Sequence, residues 1–325
     1  MRSLILLPAL SLVSQMVWAN PDLPGLDLFI NEMITEHQFD AAELEAAFAE
    51  VEVKESILKA IARPAEKAKP WYEYRNIFMD QGRIYAGAEY WQQHADTLKT
   101  AEQTYGVPAE IILAILGVET RFGGNVGSFR VIDALSTLAF QYPPRSKFFR
   151  SELKHFLILS REETMPPLEP IGSYAGAMGL GQFMPSSFRA YAVDFDADGH
   201  RDIWTNPVDA IGSIANYLHE HGWRAGESIV HATTTDNKSP EALIERGLKP
   251  SVSRDEAQAA GLVLDNLPAD AETFNVFSLT QRHGEELWLG RQNFYAITRY
   301  NHSRMYAMAV VELAEAIRAR YERIQ

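Results

Sequence analysis

The chain has 325 residues, of which 46% are hydrophobic and 22% charged, enough for a sizeable core and unlike a disordered or fibrous protein. Lysine and arginine total 30 against 43 acidic residues, a net charge of −13 that argues against a nucleic-acid partner. The absence of cysteine excludes disulfides, thiol catalysis and thiolate metal sites.

The first element is a short apolar run, residues 4–13, behind Arg2 and ahead of the small-residue pattern Val17-Trp18-Ala19. It reads as a cleavable signal peptide over residues 1–19, too short for a comfortable membrane span. The expected location is therefore periplasmic, as a soluble protein. No transmembrane anchor is expected, and no cysteine is present for a lipoprotein anchor.

Residues 28–68 carry helical apolar spacing, with Asp40 as N-cap and Glu43 three residues on. A further helix is predicted over 82–104, closed by Gly106, and another over 108–119, opened by Pro108 and stopped by Gly123-Gly124. Helices are also predicted over 131–140 and 147–160, and the prolines of 164–172 mark a loop. Residues 173–187, "SYAGAMGLGQFMPSS", are rich in Gly, Ala and Ser, which lets backbone approach either a ligand or a neighbouring helix. Residues 207–221 form a helix capped by Asn206 and ended by Gly222. From 226 to 292, short segments such as "TFNVFSL" and "ELWLG" read as strands of a small inserted lobe. Helical spacing returns in "NFYAITRYN" and "MYAMAVVELAEAIRARYERI".

Glu119 is the residue with the most chemistry in its setting. It closes an apolar helix, where partial desolvation and the negative end of the helix dipole both favour the protonated carboxyl. A carboxylic acid still protonated near neutral pH is what general-acid cleavage of a glycosidic bond requires. The competing reading is a surface glutamate at a helix end, or one paired with Arg121.

Five blocks decide between them: "AILGVETRFGGNVG", "GSYAGAMGLGQFMPSS", "YAVDFDADGH", "NPVDAIGSIANYLHEHGW" and "NFYAITRYNHSRMYAMAV". In this order they resemble the soluble and membrane-bound lytic transglycosylase B family, over roughly residues 70–316. The resemblance implies a mainly α (α+β) fold with a lysozyme-like core. On that reading residues 20–105 form an N-terminal helical region, 106–225 the catalytic core, 226–292 a β-rich insert and 293–325 a helical return to the core. It implies cleavage of the β-1,4 bond between N-acetylmuramic acid and N-acetylglucosamine in peptidoglycan, leaving 1,6-anhydromuramoyl ends.

The family's single acid/base falls on Glu119, an exception to the two-carboxylate scheme of most glycosidases. Ser173 and Gln182 match groove positions, with the alternative that Gln182 holds its loop. Tyr300 and Asn301 match a late Tyr-Asn pair, the tyrosine expected close to Glu119 and the asparagine suited to an acetamido group. Tyr74 and Met178 are further groove candidates, and both could equally be core. Glycan strands are the expected partner; proteins of cell-wall synthesis or remodelling are left open, and no organic cofactor is expected.

"DFDADGHRD" places Asp194, Asp196 and Asp198 at alternate positions before Gly199, the first half of an EF-hand loop, with the carbonyl of His200 next. The twelfth position is Thr205 rather than Glu, and the resemblance puts the last ligand on Asp209. Asp209 has a second reading as the partner of the Asn206 cap. Structural Ca²⁺ is the expected ion, since carboxylates so close together repel unless neutralised.

Two other function classes remain. A hydrolytic muramidase would need a second carboxylate, for which Asp133 and Glu152 are nearest in sequence. A non-enzymatic, calcium-dependent wall-binding protein would have no use for a shielded acid at Glu119.

Overall fold

The computed structural model describes residues 23–62, 69–236 and 240–325. The expected signal peptide lies outside them. The chain is mainly helical, with one small four-stranded sheet and a two-stranded ribbon.

The fold is organised around one helix. α7 (Ala109–Thr120) buries every residue from Ala109 to Gly117. A helix apolar on all sides belongs at the centre of a core, and each fully buried Leu or Ile contributes about 1.5–3 kcal/mol. Around it pack α5 (Gln81–Gln93), α6 (Ala95–Tyr105), α11 (Pro207–Glu220) and α15 (Arg304–Glu322). The predicted helix over 82–104 is instead two helices. His94 breaks it at φ −119° and ψ 26°, its ring 4.4 Å from that of Tyr90, and no Gly or Pro marks the break. Before them, α1 (Leu26–His37), α2 (Ala41–Ala49) and α3 (Glu55–Ile61) cover part of the core, and Asp40 caps α2 by accepting from Ala42 N and Glu43 N.

α8 (Val131–Gln141) and α9 (Ser146–Glu162) pack as a pair. A short ribbon joins β1 (Phe129–Arg130) to β2 (Ile171–Gly172). Gly127 makes this ribbon possible: its φ is +95°, and a Cβ there would lie 2.0 Å from the Gly172 carbonyl oxygen. α10 (Pro185–Tyr191) follows the Gly-rich segment, with Pro185 in its first turn.

The later strands form one antiparallel sheet. Its order is β3 (Val230–Thr233), β6 (Gly284–Gly290), β5 (Thr273–Gln281) and β4 (Val252–Ser253), with the short helices α12 (Glu241–Ile244) and α13 (Arg254–Ala259) on either side of β4 in the chain. Alternation along β5 explains how the sheet is seated. Phe274 and Val276 enter a local core with Leu243, Val252 and Leu262. Phe277 and Leu279 point the other way, into the main core, where Phe277 stacks on Phe294 at 4.5 Å. Phe294 belongs to α14 (Gln292–Tyr300), which leads into α15.

Candidate active site and acidic loop

Glu119 lies half-buried in the last turn of α7. The helix does not run into the glycine pair. It stops one residue earlier than they require, with Arg121 and Phe122 both at positive φ, 51° and 57°. Arg121 N and Phe122 N cap the carbonyls of Gly117 and Leu116. Two consecutive side-chain-bearing residues in the left-handed region cost about 1–2 kcal/mol each, a strain of the kind that collects at functional sites. Thr120 helps to offset it: its hydroxyl donates to Leu180 O at 2.9 Å and accepts from Gly123 N at 3.1 Å. The end of α7 is thereby tied to the Gly-rich segment. Arg121 pairs with Asp80 at 3.2 Å, so it is engaged away from Glu119.

The group on Glu119 is a phenol from the far end of the chain. Tyr306 Oη donates to Glu119 Oε1 at 2.6 Å. Burial, then the charge of Glu119, holds the Tyr306 hydroxyl well above its ordinary pKa, so it remains a donor across the physiological range. Tyr300 is raised by the same two causes in the same order, which places it in the field of the carboxylate. Its own hydroxyl donates elsewhere, to Gly181 O at 2.6 Å. Gly181 allows that approach, since a Cβ would stand 2.8 Å from Tyr300 Oη. Tyr306 was not singled out in the sequence. It sits in "RMYAMAV", where an aromatic at helical spacing reads as core.

The other expected groove residues divide. Ser173 Oγ accepts from Ala175 N and Ala177 N, at 3.3 and 3.0 Å, and so shapes its own turn. Gln182, at φ 51°, donates to Val126 O and Gly179 O at 3.2 and 3.0 Å, joining the loop after α7 to the Gly-rich segment. Asn301 is half-buried at the end of α14, and its carbonyl accepts from Ser303 N at 2.7 Å. Met178 is fully buried, bridging Gly172 and Phe183, and belongs to the core. Tyr74, in α4 (Trp71–Tyr74), is also buried, its ring 5.2 Å from Phe78 and 6.3 Å from Trp71.

Both alternative carboxylates are occupied. Asp133 is buried and accepts from Glu52 N at 3.0 Å and from the Arg130 guanidinium at 2.8 and 3.0 Å. Glu152 is buried and accepts from Ser186 N and Ser186 Oγ, at 2.9 and 2.8 Å, at the start of α10.

In the acidic loop, Asp194, Asp196 and Asp209 bring carboxylate oxygens within 4.8 Å of one another. Asp209 is fully buried beneath the loop. It accepts from Phe195 N at 2.7 Å and Asp202 N at 2.8 Å, holding both sides of the loop at once. Desolvation, with the nearby charges of Asp196 and Asp194 adding to it, raises the Asp209 pKa against these two amides. Asp198 stays outside the trio: its carboxylate accepts from His200 N at 2.9 Å, and His200 is exposed. Asn206 caps α11 through Val208 N at 2.9 Å and also donates to Asp196 at 2.8 Å. Thr205, at the twelfth place, donates to Asp202.

The description "Transglycosylase SLT domain" matches residues 24–315. The chain belongs to this family. It is 41% identical over 303 residues, 90% of this chain and 82% of the other, to membrane-bound lytic murein transglycosylase B of Escherichia coli (strain K12). Its fold matches the soluble lytic transglycosylase SltB1 from Pseudomonas aeruginosa with a TM-score of 0.86 at 52% identity, covering 91% of this chain and 99% of that one. The Escherichia coli lytic transglycosylase Slt35, solved with calcium and with bulgecin A, matches with a TM-score of 0.85 at 40% identity over 93% of this chain and 94% of that one. The expected fold class and the expected function, a peptidoglycan lytic transglycosylase, are those of this family, and the protein is an enzyme.

One expectation is corrected. A soluble periplasmic location was read from the leader and the missing cysteine, yet the 41% identical relative is named membrane-bound. The family includes a relative named membrane-bound and another named soluble. No helix among the described residues is long and apolar enough to cross a membrane.

Proposed function

We propose that Glu119 is the single acid/base of the reaction and that Tyr306 positions its proton. The observation that carries this reading is the 2.6 Å hydrogen bond between them at a half-buried helix end. Glu119 in its acid form protonates the glycosidic oxygen between the muramoyl and glucosaminyl sugars as the bond to the anomeric carbon breaks. The resulting carboxylate takes the proton of the muramoyl 6-hydroxyl while that oxygen bonds to the same carbon. One proton is given and one regained, no water enters, and the product ends in 1,6-anhydromuramic acid. Intramolecular attack gains from proximity. The engagement of Asp133 and Glu152 with their own partners supports this route, since a hydrolase of the usual kind needs a second free carboxylate.

In the same reading, Tyr300 and Asn301 border the sugar-binding groove, and Ser173 and Gln182 fix the shape of its floor. The trio Asp194, Asp196 and Asp209 takes structural Ca²⁺, whose hard charge offsets the repulsion among three carboxylates and suits an all-oxygen donor set. The calcium bound to Slt35 supports the choice of ion. The test of the reaction is digestion of purified sacculi, borohydride reduction and mass analysis of the released fragments. Anhydro ends that resist reduction are expected; mainly reducible ends overturn the reading.

A further inference from the structure

The connection between α14 and α15 has two sides. Tyr300 and Tyr306 flank it and face the field of Glu119. His302, Ser303, Arg304 and Met305 instead line a separate cavity of about 510 Å³, closed by Lys69, Trp71, Ser278 and Thr280. Three of its lining residues, Lys69, His302 and Arg304, carry basic side chains, and none carries a carboxylate. In a chain with net charge −13 this is unusual: four other cavities on the surface each include at least one carboxylate. Among the described residues no acidic group forms an ion pair with Lys69, His302 or Arg304. All three are exposed.

Lys69 and Arg304, unneutralised cations on a concave surface, raise the local potential and concentrate anions there. Ser303 caps α15 by accepting from Tyr306 N at 3.3 Å, so the cavity also opens at the positive end of a 19-residue helix. The same short stretch of chain ties it to the acid: Ser303 holds Tyr306 N, and Tyr306 holds Glu119. Ser303 and Tyr306 are three residues apart, about 4.5 Å of helical rise. A ligand that reaches both places must carry an anion on a short tether from the glycan.

We propose that this cavity is a subsite for a carboxylate of the peptide attached to the muramoyl sugar. The inference rests on the glycan-cleaving role given above. A peptide of about three to five residues spans roughly 10–18 Å when extended, and its carboxylates are the complementary charge. Lys69, His302 and Arg304 bind the carboxylate; Thr280 is engaged with Glu285 at 2.6 Å and contributes shape.

The experiment compares K69Q/H302Q/R304Q with the parent chain. Turnover is measured on peptide-bearing and on peptide-free glycan strands. The triple substitution is expected to lower kcat/KM about five-fold on peptide-bearing strands, the scale of two exposed charge contacts and one imidazole contact, and to leave peptide-free strands unchanged. High salt should erase the difference in the parent. Equal values on both substrates, or equal losses on both, overturn the subsite. Binding is also titrated in the full chain carrying Glu119→Gln, using a disaccharide tripeptide and the same disaccharide without peptide. Tighter binding of the peptide form that disappears in the triple variant supports the subsite, and no difference overturns it. This titration does not depend on which sugar ends the enzyme makes, so it separates failure of the subsite from failure of the reaction.

Discussion

Two groups of carboxylates in this protein share a chemistry and differ in what surrounds them. Asp194, Asp196 and Asp209 form a tight trio, and the buried member has both oxygens committed to backbone amides. Glu119 is held at Oε1 by a phenol that itself stays protonated. Backbone amides fix a carboxylate as an acceptor and can exchange nothing with it. A hydroxyl can stabilise the carboxylate and rotate when the acid form returns. The first arrangement suits an ion and a loop; the second suits a group that must gain and lose a proton.

The sharpest way to break this contrast is at Glu119. Glu119→Gln keeps the shape and the contact with Tyr306 and removes the transferable proton. Cleavage should fall by a factor on the order of 10² or more, with the melting temperature nearly unchanged. Near-parental turnover would remove Glu119 from the chemistry. A large loss of stability would put it with the structural carboxylates instead.

Asp209 should show the opposite profile. Asp209→Ala strands two half-buried amides, at Phe195 and Asp202, at a cost of about 2–4 kcal/mol. Urea denaturation with and without Ca²⁺ reads this. The parent should gain stability with Ca²⁺, by about 2.7 kcal/mol at a hundredfold excess over Kd, and Mg²⁺ should serve less well in so flexible a site. Asp209→Ala should lose the response. A variant as stable as the parent and equally responsive to Ca²⁺ would remove Asp209 from both roles.

The sequence was most legible where a signal is local. The apolar run of α7, the cap at Asp40 and the Asn206-Pro207 start of α11 are properties of neighbouring residues, and each falls within a residue or two of its expected place. The spacing of Asp194, Asp196 and Asp198 announced an acidic loop and the resemblance added Asp209, but not that Asp209 lies buried beneath it while Asp198 stays outside the trio. Which carboxylate points inward depends on how α11 returns beneath the loop. The break at His94 escaped because a ring contact with Tyr90, not a glycine, accompanies it. Tyr306 escaped because 187 residues separate it from Glu119. Its hydroxyl matters only once α15 lies against α7. Fold class and family were thus readable from blocks of sequence, while the contact between Tyr306 and Glu119 is a product of packing.

That partner gives the next test of the contrast. Tyr306→Phe removes one hydroxyl and keeps the ring. A hydrogen bond to a charged group is worth about 1.5–3 kcal/mol, so turnover should fall about tenfold or somewhat more. The direction in pH follows from which form the bond favours. The phenol donates to the ionised carboxylate, so its loss makes that form harder to reach. The alkaline limb of the rate profile, where Glu119 loses the proton it must donate, should move to higher pH. An unchanged limb with unchanged rate would reduce Tyr306 to packing.

The smallest effect is expected at Glu152, and it tests whether engagement with the backbone really silences a carboxylate. Glu152 has the burial that would suit a catalytic group, but its oxygens take Ser186 N and Ser186 Oγ at the start of α10. Glu152→Gln keeps one acceptor oxygen and the side-chain volume. The charge it loses sits at a helix start, where a negative group is worth about 0.3–1 kcal/mol. Stability should fall by about 1 kcal/mol, turnover should stay within a few-fold, and the fragments should keep their anhydro ends. Suppose instead that Glu152→Gln abolished cleavage while the fold held, or turned anhydro ends into reducible ones. Then a carboxylate tied to a helix start would be taking part in the reaction, and the distinction between amide-held and phenol-held acids would fail in this protein.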